Sequence, residues 1–387
     1  MSILDKIEPI YIKQSTMIKK QAPIKQPTNI IDFRLGAVDQ EHFPRKKWRQ
    51  ISNGILEQNA CYTYGESFGE NVLKQELSRY LLQARGMSID CENIIIGSST
   101  QQLLLQLGLL LQQNFSSILL ENPGYYGVQE IFRLLNFPIE PISVTKEGIV
   151  LDELCNKKSS LIYVTPSHQY PFGTSLSIQQ RWQLIQWVHE QKGFIIEDDY
   201  DGEYRYGQKT VPALASLDPT RTIYLGTFSK AFLPGIRLAY MVLPPCLLRP
   251  YQQMFQHMES TASLLHQLTM AELMRSSEWE RHIKRMRKIY QKKMSILIET
   301  IGLHFPQNLE VIGEKAGLYV LISITNNCTE QELIDLAMGE QVKVYPTSNL
   351  YLEKDDSNPK LLLGFANLTE NQIIEGVARL KKAWYFL

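Results

Sequence analysis

The sequence has no surplus of charge, no cysteine pair and no long apolar run, and each absence removes a class of function. Its 40 Lys and Arg are matched by 40 Asp and Glu. A chain that grips nucleic acid through its overall field needs an excess of cations to neutralise phosphates, so this balance argues against that mode. The five cysteines, Cys61, Cys91, Cys155, Cys246 and Cys328, are widely scattered with no C-x-x-C spacing. They read as free thiols in a reducing cytoplasm, and neither as a disulfide framework nor as a zinc site. No stretch approaches the roughly 18 uninterrupted apolar residues that suggest a membrane span. The polar N-terminus also lacks the pattern of an export signal. What is present is globular: 44% apolar and 21% charged residues over 387 positions. That length suits about two to three domains, with a core that needs no staples.

Residues 1–28 are rich in Lys, Gln and Ile, and Pro23 and Pro27 interrupt any helix there. The stretch reads as a linker or arm, and a linker at the start of a chain suggests a segment upstream of it. From Ser88 onward, apolar runs at Asn93–Ile96, Ser117–Leu120, Ser160–Val164, Gly193–Ile196, Thr222–Leu225 and Leu238–Val242 alternate with helical patterns such as Ile178–Glu190. The runs are continuous rather than alternating, as in strands covered by helices on both faces. They predict a doubly wound α/β unit with a mostly parallel sheet. After Pro250 the character changes to nearly all helix up to about residue 301. Strands at Gly317–Ile322, Val342–Tyr345 and Leu361–Gly364 follow, then a last helix whose start is marked by the capping-box pair Thr369 and Gln372. The expected division is a large domain over 29–285, its N-terminal segment adding to small-domain and dimer contacts, and a small α+β domain over 286–387. The helix with the basic stretch Arg281–Lys293 carries an apolar stripe of Ile283, Met286, Ile289, Tyr290 and Ile296, so its charges read as a solvated face.

In an open α/β sheet, ligands bind beyond the C-terminal ends of the strands, and several strands here end in polar clusters. Gly226-Thr-Phe-Ser-Lys230 is followed by Pro234 and Arg237. A lysine at a strand end is suited to a Schiff base with an aldehyde cofactor, and Thr227, Ser229 and Arg237 would serve a nearby phosphate. Ile196-Glu-Asp-Asp-Tyr-Asp201 ends another strand in acids. Asp198 there is the candidate to face a pyridine nitrogen, and Tyr200 to donate to the ring's phenolic oxygen; a string of acids also serves as a divalent-metal site, although no histidine joins it. Gly97-Ser-Ser-Thr-Gln101 opens a helix, so Ser99, Thr100 and Gln101 either bind an anion at the positive end of the helix dipole or merely cap it. Tyr125 is a candidate lid on a flat ring or a turn aromatic. His168 and Gln169 are candidate contacts to the ring oxygen or ordinary loop residues.

Taken together, these strings resemble the fold-type-I pyridoxal-phosphate aminotransferases, and more closely the aminotransferase-like effector-binding domain of MocR/GabR-type transcription regulators. The stretches that carry the resemblance are Ile31-Asp-Phe-Arg-Leu-Gly36 with Phe43, Pro44 and Trp48, then Tyr64-Gly65, Thr165-Pro-Ser-His-Gln169, Glu197-Asp-Asp-Tyr-Asp201 and Gly226-Thr-Phe-Ser-Lys230. The likeness runs from about residue 30 to the C-terminus. It implies a large domain with a mostly parallel seven-stranded sheet, a smaller α+β C-terminal domain, and a homodimer. It implies pyridoxal 5'-phosphate held by Lys230 as an internal aldimine, with Asp198 on the pyridine nitrogen, Tyr200 on the phenolic oxygen and Tyr125 stacked on the ring. Ser99, Thr100, Gln101, Thr227, Ser229 and Arg237 would surround the phosphate, and Tyr64 would reach the phosphate of the neighbouring subunit. Such regulators contact DNA through an N-terminal winged helix-turn-helix, and this sequence contains none.

One departure bears on the ligand. Relatives hold a substrate carboxylate with a small-domain arginine, whose rigid fork binds it bidentately. This chain has no arginine between Arg287 and Arg379, and Asn349 stands about where one would lie, as Gln129 does in the helix after Tyr125. γ-Aminobutyrate is therefore disfavoured; D-alanine, or pyridoxal phosphate itself, is the comparatively favoured effector. The leading expectation is a sensor that forms an external aldimine with an amino-acid effector. The alternative is a genuine aminotransferase.

Overall fold

The continuous apolar runs become the central strands of the protein. The fold is given by a computed structural model that describes residues 30–58, 61–157, 159–207, 211–325, 327–353 and 358–385; the expected linker over 1–28 lies outside them. β1 (Ile31–Asp32) stands apart from the main sheet. β2 (Ile94–Gly97), β3 (Ile118–Asn122), β4 (Ile139–Thr145), β5 (Gly148–Ile149), β6 (Leu161–Val164), β7 (Phe194–Asp199), β8 (Thr222–Thr227) and β9 (Ala239–Val242) form one eight-stranded sheet in the order β2-β9-β8-β7-β6-β3-β4-β5. The sheet has one strand more than the seven expected, because a turn at Lys146 and Glu147 folds the two-residue β5 back on β4. Strands β4, β3, β6, β7 and β8 are mutually parallel, and β9 runs antiparallel between β8 and β2. The C-terminal ends of β2, β3, β6, β7 and β8 and the start of β9 therefore share one edge.

Every residue of β6 and β7 is buried, as strands sandwiched between helices must be. The helix Thr100–Leu111 supplies one cover, burying Leu103, Leu104, Leu107, Leu110 and Leu111 against β3, β6 and β8. Truncating such a leucine to alanine costs about 2–5 kcal/mol. The helix Ile178–Glu190 starts at a capping box in which Ser177 and Gln180 satisfy each other's backbone N–H groups.

The second sheet is antiparallel. β10 (Leu309–Ile312), β11 (Tyr319–Ile324), β12 (Val342–Lys343), β13 (Tyr345–Pro346) and β14 (Lys360–Gly364) complete the strands, with sheet order β10-β11-β14-β13. β12 instead pairs in parallel with β1, joining Ile31 to Val342 and Asp32 to Lys343. Ile31–Leu387 hold together as one unit. The 27-residue helix Glu278–His304 runs unbroken from one core to the other: Trp279 and Ile283 pack beneath the large sheet, and Met286, Tyr290, Met294, Leu297 and Ile301 beneath the small one. Its basic face is not uniformly solvated. Lys293 is buried, and its ammonium donates to Asp39 Oδ2 at 2.8 Å and to the Ala366 carbonyl at 2.8 Å. Among the described residues no helix is long and apolar enough to cross a membrane.

Candidate functional site

The shared strand edge gathers the polar clusters into one place. Ser99, Thr100, Gln101, Tyr125, Asp198, Tyr200, Thr227, Ser229, Lys230 and Arg237 all line a single cavity of ≈ 300 Å³, joined by Tyr163, Thr165, Tyr170, Asp201 and Tyr319. One end carries anion-binding groups. Ser99 does cap its helix, accepting from the Gln102 N–H at 3.2 Å, and it lines the cavity as well. Thr227 caps the short turn that bears the lysine, accepting from the Ser229 N–H at 3.1 Å. Arg237 enters β9 from a left-handed backbone at φ 52°, a conformation that costs a non-glycine residue about 1–2 kcal/mol.

Asp198 stands at the other end. The Tyr163 hydroxyl donates to its Oδ2 at 2.6 Å, while Oδ1 is buried without a partner. Burial pushes this carboxyl up to about 7; the Tyr163 hydrogen bond opposes the rise, and the neighbouring Asp199 and Asp201 add to it. The other acids of the string diverge from it. Glu197 accepts from the N–H groups of Leu214 and Ala215 and faces the buried Arg181. Asp199 pairs with Arg85 at 2.5 Å. Asp201 accepts from His168 Nδ1 at 2.9 Å.

Lys230 lies between the two ends. Burial holds its amine below the ordinary lysine range, against the pull of Asp201 and Asp198, which favours the neutral, nucleophilic form. Gly36 packs beside it at φ +73°, a backbone that favours glycine, and a Cβ there would push the flexible Lys230 Nζ aside. Tyr200 brings its hydroxyl to 2.9 Å from His168 Nδ1 and 3.1 Å from the Tyr319 hydroxyl. Tyr125 packs edge-on to Tyr170 with ring centroids 6.4 Å apart, and its hydroxyl accepts from Gln101 Nε2 at 3.3 Å. Glu121, pushed up to about 7 by burial, braces the wall by accepting from the Thr165 hydroxyl at 2.6 Å.

Four sequence candidates do not line this cavity. Gln169 is buried, donating to the Pro123 carbonyl at 3.1 Å and accepting from the Phe172 N–H at 3.1 Å. His168 is buried behind Asp201 and Tyr200 and does not line the cavity. Tyr64 is 85% exposed. Asn349 is exposed in the turn Ser348–Leu350, and Gln129 ties that turn down by donating to the Leu350 carbonyl at 3.1 Å. Conversely, Tyr163, Thr165, Tyr170, Asp201 and Tyr319 were not picked out as candidates. Thr165 and Asp201 fall inside the motif strings and Tyr170 directly follows one of them, so adjacency is an available signal. Tyr163 looks like any strand aromatic, and Tyr319 arrives from the second sheet.

The donor set fits a flat phosphorylated heteroaromatic aldehyde. The partnerless Asp198 Oδ1 awaits a ring N–H, the Lys230 amine suits the aldehyde, and hydroxyls with Arg237 suit the phosphate. A family model described as aminotransferase class I and II matches residues 28–380. The uncharacterized HTH-type transcriptional regulator YdeL of Bacillus subtilis (strain 168) is 40% identical over 357 residues, which are 92% of this chain and 77% of that protein. The probable rhizopine catabolism regulatory protein MocR of Rhizobium meliloti is 28% identical, covering 92% of this chain and 73% of its own length. Among solved structures, that of LysN, the α-aminoadipate aminotransferase of Thermus thermophilus complexed with N-(5'-phosphopyridoxyl)-L-leucine, aligns with a TM-score of 0.83 at 26% identity, over 92% of both chains. Cavity chemistry, fold and relatives agree: the chain belongs to the aminotransferase class I and II family, as a pyridoxal-phosphate-type, aminotransferase-like domain of the MocR kind of transcription regulator.

Proposed function

We propose that this chain is the effector-sensing and dimerisation module of a MocR/GabR-type transcription regulator. Lys230 holds pyridoxal phosphate, and an amino-acid effector such as D-alanine takes the place of the lysine on the cofactor as an external aldimine. Release of the lysine lets the two sheets and their shared helix settle differently, and a winged-helix DNA-binding partner domain reads that change. The supporting observation is an intact cofactor cavity, with Lys230, Asp198 and Arg237 on one wall system, in a chain that is 40% identical to an HTH-type regulator. When bound, the cofactor supplies an electron sink. The protein's own groups bind and orient: Asp198 keeps the ring nitrogen protonated, the Ser99, Thr227 and Arg237 end anchors the phosphate, and the Tyr200 and Tyr319 hydroxyls face the site between them. Homodimerisation, with Tyr64 reaching the second subunit's phosphate, belongs to the same reading.

Counting product per site tests it. The cofactor-loaded protein is mixed with amino acids and a keto acid, and the expected yield is one amino-group exchange per site or none. Many turnovers would identify an aminotransferase instead.

A further inference from the structure

Beside the cofactor cavity lies a second one of ≈ 660 Å³ that shares Leu35, Gly36 and Lys230 with it. Arg34 and Arg45 line this outer cavity. Arg34 is exposed, and among the described residues its guanidinium has no hydrogen bond or ion pair. The one carboxylate in the lining, Asp39, is already engaged by Lys293 at 2.8 Å and His42 at 2.9 Å, so it does not cancel the arginines. The lining also contains Asn367, whose side-chain oxygen is buried without a partner.

The backbone carrying Arg34 is tied to the strands of the C-terminal part of the chain. β1 pairs with β12, the Phe33 N–H donates to the Lys343 carbonyl at 3.0 Å, and the Gly364 N–H donates to the Phe33 carbonyl at 3.0 Å. Gly364 lies so close that a Cβ there would overlap the Arg34 carbonyl oxygen. The Tyr345 hydroxyl further pins Asp32 at 2.8 Å. Arg34 is thus fixed to the small sheet, two residues from the glycine that packs on the Lys230 amine.

We propose that Arg34, with Arg45 at the rim, is the carboxylate-binding cation of the effector site, and that the effector is an amine bearing an acidic group rather than a plain amine. The amine meets the cofactor at Lys230, and the carboxylate extends into the outer cavity. This rests on the sensor reading above. Residues 288–378 contain no arginine, so Arg34, following the strand paired with β12, is the guanidinium that this side of the cavity receives.

The test compares two probes that differ only by the acidic group, alanine and ethylamine, titrated against the visible absorbance of cofactor-loaded wild type and Arg34→Met. Half-saturation for alanine is expected to rise about 10- to 100-fold in the variant, the loss of one charge-assisted pair, with ethylamine unchanged. Arg34→Lys should recover part of the loss. A variant that responds to alanine as the wild type does, or that loses both probes equally, overturns the assignment, as does a wild type that prefers ethylamine. A wild type that binds cofactor and answers neither amine overturns the sensor reading itself and this site with it.

Discussion

Replacing Asp198 with asparagine should make the cofactor-free protein more stable while weakening its hold on the cofactor, and the first effect should depend on pH in one direction only. Burial pushes the Asp198 carboxyl from its ordinary 3.8 up to about 7, whereas in the unfolded chain it ionises near its ordinary value. Between those two pH values the folded protein retains a proton that the unfolded chain has released. Stability therefore falls as pH rises through that window, and the full deficit is in place above about pH 7. At about 1.4 kcal/mol per pH unit, the deficit reaches about 4 kcal/mol; water entering an open cavity screens the charge and reduces this figure. Asparagine still accepts from the Tyr163 hydroxyl, which sits 2.6 Å from Oδ2, but cannot ionise. Denaturation midpoints of cofactor-free wild type and Asp198→Asn should coincide near pH 4 and separate progressively toward pH 8, the variant being the more stable. The same variant should bind pyridoxal phosphate about 10- to 100-fold more weakly, having lost a charge-assisted hydrogen bond. A gap that stays constant with pH, or opens toward acid, would refute the link between burial, charge and cofactor binding.

Three other outcomes can be measured with the same two assays. Lys230→Ala should abolish the visible band that amines perturb, while denaturation shows the protein still folded; a band that persists would put the attachment at another lysine. Gly36→Ala should cost about 1–2 kcal/mol for the left-handed backbone at φ +73° and should slow cofactor attachment, because the new methyl group displaces the Lys230 amine. Lys293→Met should cost about 3–5 kcal/mol, since it strands Asp39, which Lys293 and His42 hold down to about 2 against the opposing effect of burial. Adding Asp39→Asn should return part of that loss. Because the Asp39 carboxyl is depressed, the stability it gives is present above its ordinary 3.8 and lost as pH falls toward about 2, so the double variant should be the less acid-sensitive protein.

What the sequence disclosed depends on how locally each feature is encoded. Asp198 is the last residue but one of β7 and Lys230 follows β8 by three residues, so the strand ends mark the site, and the parallel order of the sheet does the rest. Tyr163 sits inside an apolar run that reads as core. Its hydroxyl reaches Asp198 only because β6 and β7 pair with Tyr163 opposite Ile196, a register that local pattern does not state. β4 escaped notice because Ile139–Thr145 has a proline at its third position and mixed burial; it lies next to the edge, where only the two-residue β5 covers it. Lys293 is a different kind of miss. It sits three residues beyond Tyr290, on the spacing of the buried stripe Met286, Tyr290 and Leu297, and periodicity marked it as inward-facing although its residue type suggested a solvated charge.

If Arg34 is the carboxylate anchor, reading by position passes over it for a physical reason. Counting arginines from 288 to 378 treats the small domain as one contiguous segment, and on that count its carboxylate anchor is missing. A two-residue parallel pairing between β1 and β12, reinforced by the bond from the Gly364 N–H to the Phe33 carbonyl, transfers the first described strand into that domain. Parallel pairing of such short strands leaves almost no periodic signal, since two residues cannot show alternation. The buried ends of the strand are nevertheless fixed by Ile31 and Phe33, which belong to the same apolar core as Val320, Leu363 and Phe365. An arginine following that anchor cannot drift far from the Lys230 amine while Gly36 packs against it. If Arg34 binds the effector's carboxylate, weakening the anchor should therefore impair the same ligands. Phe33→Ala, beyond its cost of about 3–5 kcal/mol in stability, should lose alanine affinity while still answering ethylamine. Equal loss of both probes would mean that the strand serves folding alone.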